Sequence, residues 1–409
     1  MKRELKNFFY PKTIAVIGAS GTEGKVGHTL MEKLKVFDGK VIPVNIHREI
    51  IEGKQAYKTV KEYSKEIDLA IIATPAKTVP SLLKKCGKKG VRNVIVISAG
   101  FAETGNKRLE KKLIKISKKK RITVLGPNCF GTANPYSKLD CTFSNTHPGK
   151  GNIAVISQSG ALWSYLSDLK LKNKGFSGFV SLGNMAQLDF SDFIEYFNED
   201  VKTKKIILYI EKVKDGKKFL EACQKSKKEI IAVKAGKTEE GKKATISHTG
   251  SLATDYKIYE GIFKQAGVTV KETLAEAIGI KKEKIPIFNK RVLILTNAGG
   301  AGALVADILK KQGNKILKPT PLDILGTANA EKYKIVLEGI AKKKEHLDAL
   351  VAILTPQEMS QPEETAQALI KFKHKTRKQV IACFLGERSI NKAKRLLQKN
   401  KIVCLTHCC

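Results

Sequence analysis

The chain has 409 residues, 42% of them hydrophobic, enough for two or three domains with cores of their own, and no apolar run is long enough to cross a bilayer. Lys and Arg number 75 against 39 Asp and Glu, a net charge of +36 that would attract polyanions. The lysines are spread along helical stretches such as "LLKKCGKK" and "KKLIKISKKK", with few aromatic residues between them. This describes a solvated basic surface and argues against a nucleic-acid-binding role.

The basic start "MKRELKNFFYPKTIAVIGAS" leads into an apolar segment too short for a secretory signal, so a cytoplasmic location and no membrane contact are expected. Eight cysteines occur without a CxxC pair, which suits reduced, packed thiols. The terminal His407, Cys408 and Cys409 read as a frayed tail, and no metal site is expected.

In chain order, "TIAVIG", "KVIPVN", "DLAIIAT", "NVIVIS" and "ITVLG" alternate with helical segments, a βαβ rhythm that predicts a parallel, doubly wound sheet. The first strand runs into "GASGTEGKVG", where Gly18, Gly21 and Gly24 are spaced GxxGxxG and not as the GxGxxG dinucleotide fingerprint. Small residues there would let backbone N–H groups approach a phosphate at a helix start. The second strand ends in Val44-Asn45 with no acidic residue for ribose hydroxyls, and His47 and Arg48 follow. That favours a ligand with an extra ribose phosphate, either NADP or coenzyme A.

After the turn-rich "SNTHPGKGN", a second series begins with "IAVISQSGALWSYLSDLK", a strand, a tight turn and a helix. Ser157, Gln158, Ser159 and Gly160 occupy the turn, either as an anion site at a helix N-terminus or as an ordinary cap. "KIILYIE" puts Glu211 at a strand end, where it is solvated or accepts a proton from an imidazole. "SHTGSLATD" supplies His248 and Gly250. No second ligand stands near His248 for a metal and no GxSxG elbow is present, which leaves a packing role or chemistry. A third series, "VLILTNAGG", "ALVAILTPQ", "QVIACFLGE" and "IVCLTH", follows the charged "KKEKIPIFNKR", so the fold class is α/β with three consecutive doubly wound units.

Taken together, "IAVIGASGTEGKVGHTLMEKL", "VIPVN", "DLAIIATPAKTVP", "ISAGFAETG" and "LGPNCFGTANP" resemble the coenzyme-A-binding domain of NDP-forming acyl-CoA synthetases. The similarity is closer to the ADP-forming acetate–CoA ligases than to the succinyl-CoA synthetase α subunit. It implies a Rossmann-like CoA-binding domain over 1–147, a flavodoxin-like domain over 151–283, and a third, shortened flavodoxin-like domain over 290–409. It also implies that Gly21, Thr22, Glu23, Gly24 and Lys25 line the phosphates of coenzyme A, with Val44 and Arg48 toward the adenosine. Thr74, Pro75, Ser98, Ala99, Gly100 and Phe101 would continue the site, with Asn128 toward the thiol.

"KAGKTEEGKKATISHTGSLATD" is similar to the family's phosphohistidine loop, with His248 phosphorylated and Gly250 beside it. The same resemblance makes Glu211 the orienting carboxylate, the "SQSG" turn the shelter for the phosphoryl group, and Gly183 and Asn184 its border. The implied reaction converts acyl-CoA, ADP and phosphate into carboxylic acid, ATP and CoA through an acyl phosphate and phospho-His248. No Walker A ending occurs, so ADP/ATP and Mg2+ are expected on a separate ATP-grasp-type β subunit, in an α2β2 assembly. The sequence departs from the family at Thr320-Pro321-Leu322-Asp323 and ends at "IVCLTHCC", about one helix early. These departures keep two alternatives open: a non-catalytic CoA-binding regulatory or scaffold protein, and an NADP-dependent oxidoreductase.

Overall fold

The computed structural model describes residues 5–171, 175–249, 255–342 and 346–409, with the side chains of Ser247, His248 and Thr249 outside that set. The first sheet is parallel, with strands in the spatial order Lys40–Val44, Thr13–Ile17, Leu69–Ile72, Asn93–Val96 and Thr123–Leu125. Leu69–Ile72 and Asn93–Val96 are buried at every position, because helices cover both faces of the sheet and alternation with polar residues would bury unpaired groups.

The second sheet has seven strands, in the order Thr269–Lys271, Glu229–Lys234, Lys205–Ile210, Lys150–Ser157, Phe176–Ser181, Thr132–Asn134 and Leu139–Asp140. The last two are antiparallel additions from the chain leaving the first sheet. The third sheet runs Lys315–Ile316, Arg291–Thr296, Ala349–Leu354, Gln379–Phe384 and Val403–Leu405, with Leu322–Asp323 also paired to Arg291–Thr296.

All three sheets follow one plan. The chain lays down a central strand, adds a neighbour on one side, then crosses to the other side. Loops diverge at the carboxyl end of such a strand and leave a crevice, so Ile17, Ser157 and Thr296 mark the three positions where ligands are expected.

The units are packed together by aromatic contacts and by the tail. Phe9, 1% exposed, stacks on Tyr196 at 4.7 Å and meets Phe197 edge-on, so the first residues of the first unit are seated on a helix of the second. Residues 407–409 are not frayed as expected. The N–H of Ala275 donates to the Cys409 carbonyl at 3.0 Å, the N–H of His407 donates to Glu283 at 2.8 Å, and both terminal thiols lie in an apolar cluster. Backbone partners and apolar burial hold a segment whose composition alone gave no such signal. All eight cysteines are free and buried, and burial pushes the Cys86, Cys129 and Cys223 thiols up to about 12. Among the described residues no helix is long and apolar enough to cross a membrane.

Candidate active site

At the switch point of the first sheet, Gly18 follows its strand with φ +94°, and a side chain there would meet the Ala73 carbonyl at 2.7 Å. Gly27 is equally constrained, with its missing Cβ 2.0 Å from the Gly18 carbonyl, so the helix Val26–Lys33 presses against the turn. No side chain caps that helix, and its first N–H groups stay available to an anion. Gly21, Thr22, Glu23, Gly24 and Lys25 form the exposed approach to it.

Beside this turn is a cleft of about 280 Å³. Its walls include Val44, Thr74 and Pro75, as the resemblance implies, together with Val60, Leu82, Lys58 and Lys85. The apolar walls suit an adenine ring, and two ammonium groups suit phosphate, which fits the nucleotide end of coenzyme A. Arg48 stands on the turn beyond, its N–H donating to Asn45 Oδ1 at 3.2 Å, and does not line the cleft. Lys58 and Lys85 could not be singled out in a chain with 75 basic residues. On the other side of the loop, His28, Glu32 and Glu52 each bring one ligand atom within 4.8 Å of the others. Lys35 already donates to Glu52 at 3.1 Å, so the group is an ion-pair cluster.

The second switch point is more enclosed. Ser157, Gln158 and Ser159 are 2–5% exposed. The Ser157 hydroxyl donates to the Ser159 carbonyl at 2.7 Å, tightening the turn into the helix Ala161–Asp168. Gln158 Oε1 accepts the N–H groups of Glu211 and Lys212 at 2.6 and 2.8 Å, tying two strand ends together. Its buried Nε2 finds no partner among the described residues, so this donor is free for an anion. Gly160 admits no side chain, since a Cβ would lie 2.2 Å from Phe130.

Glu211 is 5% exposed at the end of Lys205–Ile210, next to Lys150–Ser157 in the sheet. Below it, the Lys234 ammonium donates to the Glu211 carbonyl at 2.9 Å and lies over the Tyr259 ring at 4.6 Å. Burial pulls Lys234 down to about 8, although Asp307 and Glu211 act in the opposite direction.

The two sites meet. Gly183, with φ +55°, lies so close to Pro127 and Asn128 that a Cβ would be 2.2 Å from the Pro127 carbonyl. Asn128 Nδ2 donates to Asn184 Oδ1 at 3.3 Å, and Asn184 Nδ2 donates to Glu103 and Glu110 at 2.5 and 2.7 Å. Glu103 in turn accepts the N–H groups of Gly100 and Phe101, while Ser98 donates to the Thr74 carbonyl at 2.5 Å. A continuous set of contacts therefore runs from Thr74 through Ser98–Phe101 and Asn128 to Asn184. Ala99 is exposed beside it. Glu103 and Glu110 were not anticipated, because solvated acidic residues on a helix start give no sign of a distant asparagine.

His248 lies in the last turn of the helix Glu239–Thr249 and not in a loop. The two glutamates in the first turn favour this helix. The His248 side chain and Gly250 fall outside the described residues.

Family models match two segments, a CoA binding domain over residues 12–135 and a succinyl-CoA ligase like flavodoxin domain over 150–282. The α subunit of ADP-forming acetate–CoA ligase II from Pyrococcus furiosus is 42% identical, over 97% of this chain and 93% of that subunit. The chain belongs to the ADP-forming acetate–CoA ligase family. A relative from Methanocaldococcus jannaschii, an ADP-forming acetate–CoA ligase, is 45% identical over 80% of this chain but only 50% of its own length. Among solved structures, a dinucleotide-forming acetyl-coenzyme A synthetase 1 from Ca. Korarchaeum cryptofilum, in complex with phosphate and ADP, superposes with a TM-score of 0.65. That match has 31% identity and covers 99% of this chain and 93% of that one.

Proposed function

We propose that the chain is the α subunit of an ADP-forming acyl-CoA synthetase acting on acetyl-CoA or a similar short acyl-CoA, with His248 as the phosphoryl carrier. A phosphate oxygen attacks the thioester carbonyl; the C–O bond forms, the C–S bond breaks, and CoA leaves as the thiolate. An imidazole nitrogen of His248 then attacks phosphorus; the N–P bond forms, the P–O bond breaks, and the carboxylate leaves. ADP takes the phosphoryl group as the terminal phosphate of ATP and restores the imidazole.

The Glu211 carboxylate accepts a hydrogen bond from the proton-bearing ring nitrogen, leaving the other as nucleophile. Preorganised donors at the Ser157–Gly160 turn and the amide of Gln158 meet the charge that develops on the phosphoryl oxygens. Asn128 and Asn184 stand where the acyl carbon passes from the CoA side to the phosphate side.

The observation that carries this reading is the junction itself: Asn128 bonded to Asn184, beside the two strand ends that Gln158 and Glu211 tie together. The relatives named above are ligases, which supports the catalytic reading over a scaffold or an oxidoreductase. ADP, ATP and Mg2+ belong to a separate ATP-grasp β subunit in an α2β2 assembly. The name of the Pyrococcus relative and the half-length match to the Methanocaldococcus enzyme support a partner.

The test supplies [γ-32P]ATP, Mg2+ and the β subunit, and locates the label. Acid-labile, base-stable phosphate on His248 is expected, and His248→Asn should lower turnover by at least about a thousandfold. Absent label, or equal labelling of the Asn variant, would overturn the reading.

A further inference from the structure

The helix Glu239–Thr249 is not held by its own sheet alone. Its start is gripped by a residue of the third unit, Asp307 on the helix Gly299–Lys311. Asp307 is 4% exposed. One carboxylate oxygen accepts the N–H groups of Gly236 and Lys237 at 2.8 and 3.0 Å. The other accepts the N–H and the hydroxyl of Thr238 at 2.7 and 2.8 Å. The Thr238 hydroxyl passes the contact on, accepting the N–H of Gly241 at 3.1 Å.

Thr238 is the N-cap, its carbonyl accepting the Lys242 N–H, and Gly241 is one of the helix donors without an intrahelical partner. Asp307 holds the turn Gly236–Thr238 that leads in and sets a negative charge at the positive end of the helix dipole. The fit is tight: a Cβ on Gly241 would lie 2.0 Å from an Asp307 oxygen. Gly236 makes the turn with φ +79°. Lys310 adds a second tie, donating to Glu240 at 2.8 Å. The same helix of the third unit also reaches the phosphate-side turn at its other end. There the Tyr209 hydroxyl donates to the Gly300 carbonyl at 3.0 Å, and a Cβ on Gly300 would lie 2.5 Å from Ser159 Oγ.

We propose that Asp307 is a positioning residue for phosphoryl transfer. It pins the origin of the helix that carries His248, about 15 Å further along, to the helix that borders Ser159 and Tyr209. One rigid element then references both the phosphate-side turn and the histidine helix, although Asp307 touches no reacting atom. The proposal rests on the assignment of His248 as phosphoryl carrier.

The test incubates the full chain with acetyl-CoA and [32P]phosphate, follows label on His248, and measures CoA affinity by calorimetry and hydrogen exchange over 236–249. For Asp307→Asn, label formation should slow at least about tenfold, since small misplacements far from the chemistry have effects of this size. CoA affinity should stay as in the wild type, and faster exchange should be confined to 236–249. Thr238→Val should act in the same direction and Thr238→Ser should restore the rate. If Asp307→Asn does not fold, the Thr238 pair decides the question by the same readouts. Equal labelling of wild type, Asp307→Asn and Thr238→Val would overturn the clamp and leave the His248 assignment standing. An unlabelled wild-type chain would overturn both, and is told apart because the loss then precedes any substitution.

Discussion

The first and second sheets share one winding plan, yet their switch points are built differently. The first opens into a cleft with exposed glycines on its approach, apolar walls and two lysines. The second is closed over by side chains no more than 5% exposed, with each strand end tied to the next through Gln158 and Glu211. The contrast suits the proposed function. A large soluble cofactor that enters and leaves by diffusion would need the accessible site. A reactive acyl phosphate would be kept from water by the enclosed one, whose donors are fixed in advance.

Breaking the enclosed site should have the larger effect. Glu211→Gln keeps the shape but cannot balance a proton-bearing imidazole, and turnover should fall by about 10²–10⁴ with CoA affinity unchanged in calorimetry. Gly300→Ala drives a methyl group toward Ser159 Oγ and the Tyr209 hydroxyl. Overpacking of this kind should cost about 1–3 kcal/mol in urea unfolding, and turnover should drop with it. The open cleft should respond more mildly. Lys58→Ala or Lys85→Ala should weaken CoA binding about fivefold, an effect that fades at high salt, with turnover at saturating CoA unchanged.

The smallest effect is expected away from both sites. Hydrogen bonds from Lys282 and Lys311 depress Glu272 to about 2. A depressed carboxylate adds stability above its unfolded pKa, near 4.5, and loses it as pH falls through about 2. Because the group is largely exposed, Glu272→Gln should cost less than about 1 kcal/mol at pH 7. The difference from wild type in urea unfolding should shrink as pH drops below 4.5.

Much of this layout was legible in the sequence. Apolar runs that end in small or polar residues mark strand ends, and those ends are where Gly18, Thr74, Ser157, Gly183 and Glu211 are found. Such signals are local: a buried parallel strand needs a continuous apolar run, and a close backbone approach needs glycine. The helical setting of His248 was missed because "SHTGSLA" reads as a loop, while Glu239 and Glu240, which favour the helix, stand nine and eight positions before the histidine.

The tail was misread for a related reason. "HCC" carries no pattern, and only its hydrogen bonds to Ala275 and Glu283 and the burial of both thiols in an apolar cluster make it part of the core.

By itself, then, the sequence determined three doubly wound units, their ligand-facing strand ends, and the family to which the chain is similar. Tertiary structure decided which of 75 cations face the cleft, that Asn184 joins the two sites through Glu103 and Glu110, and that Asp307 holds a turn 69 to 71 residues away. The physical reason is the range of the interactions. Periodicity and glycine placement are set by neighbours in the chain, whereas a buried carboxylate finds its donors only after separate units have packed.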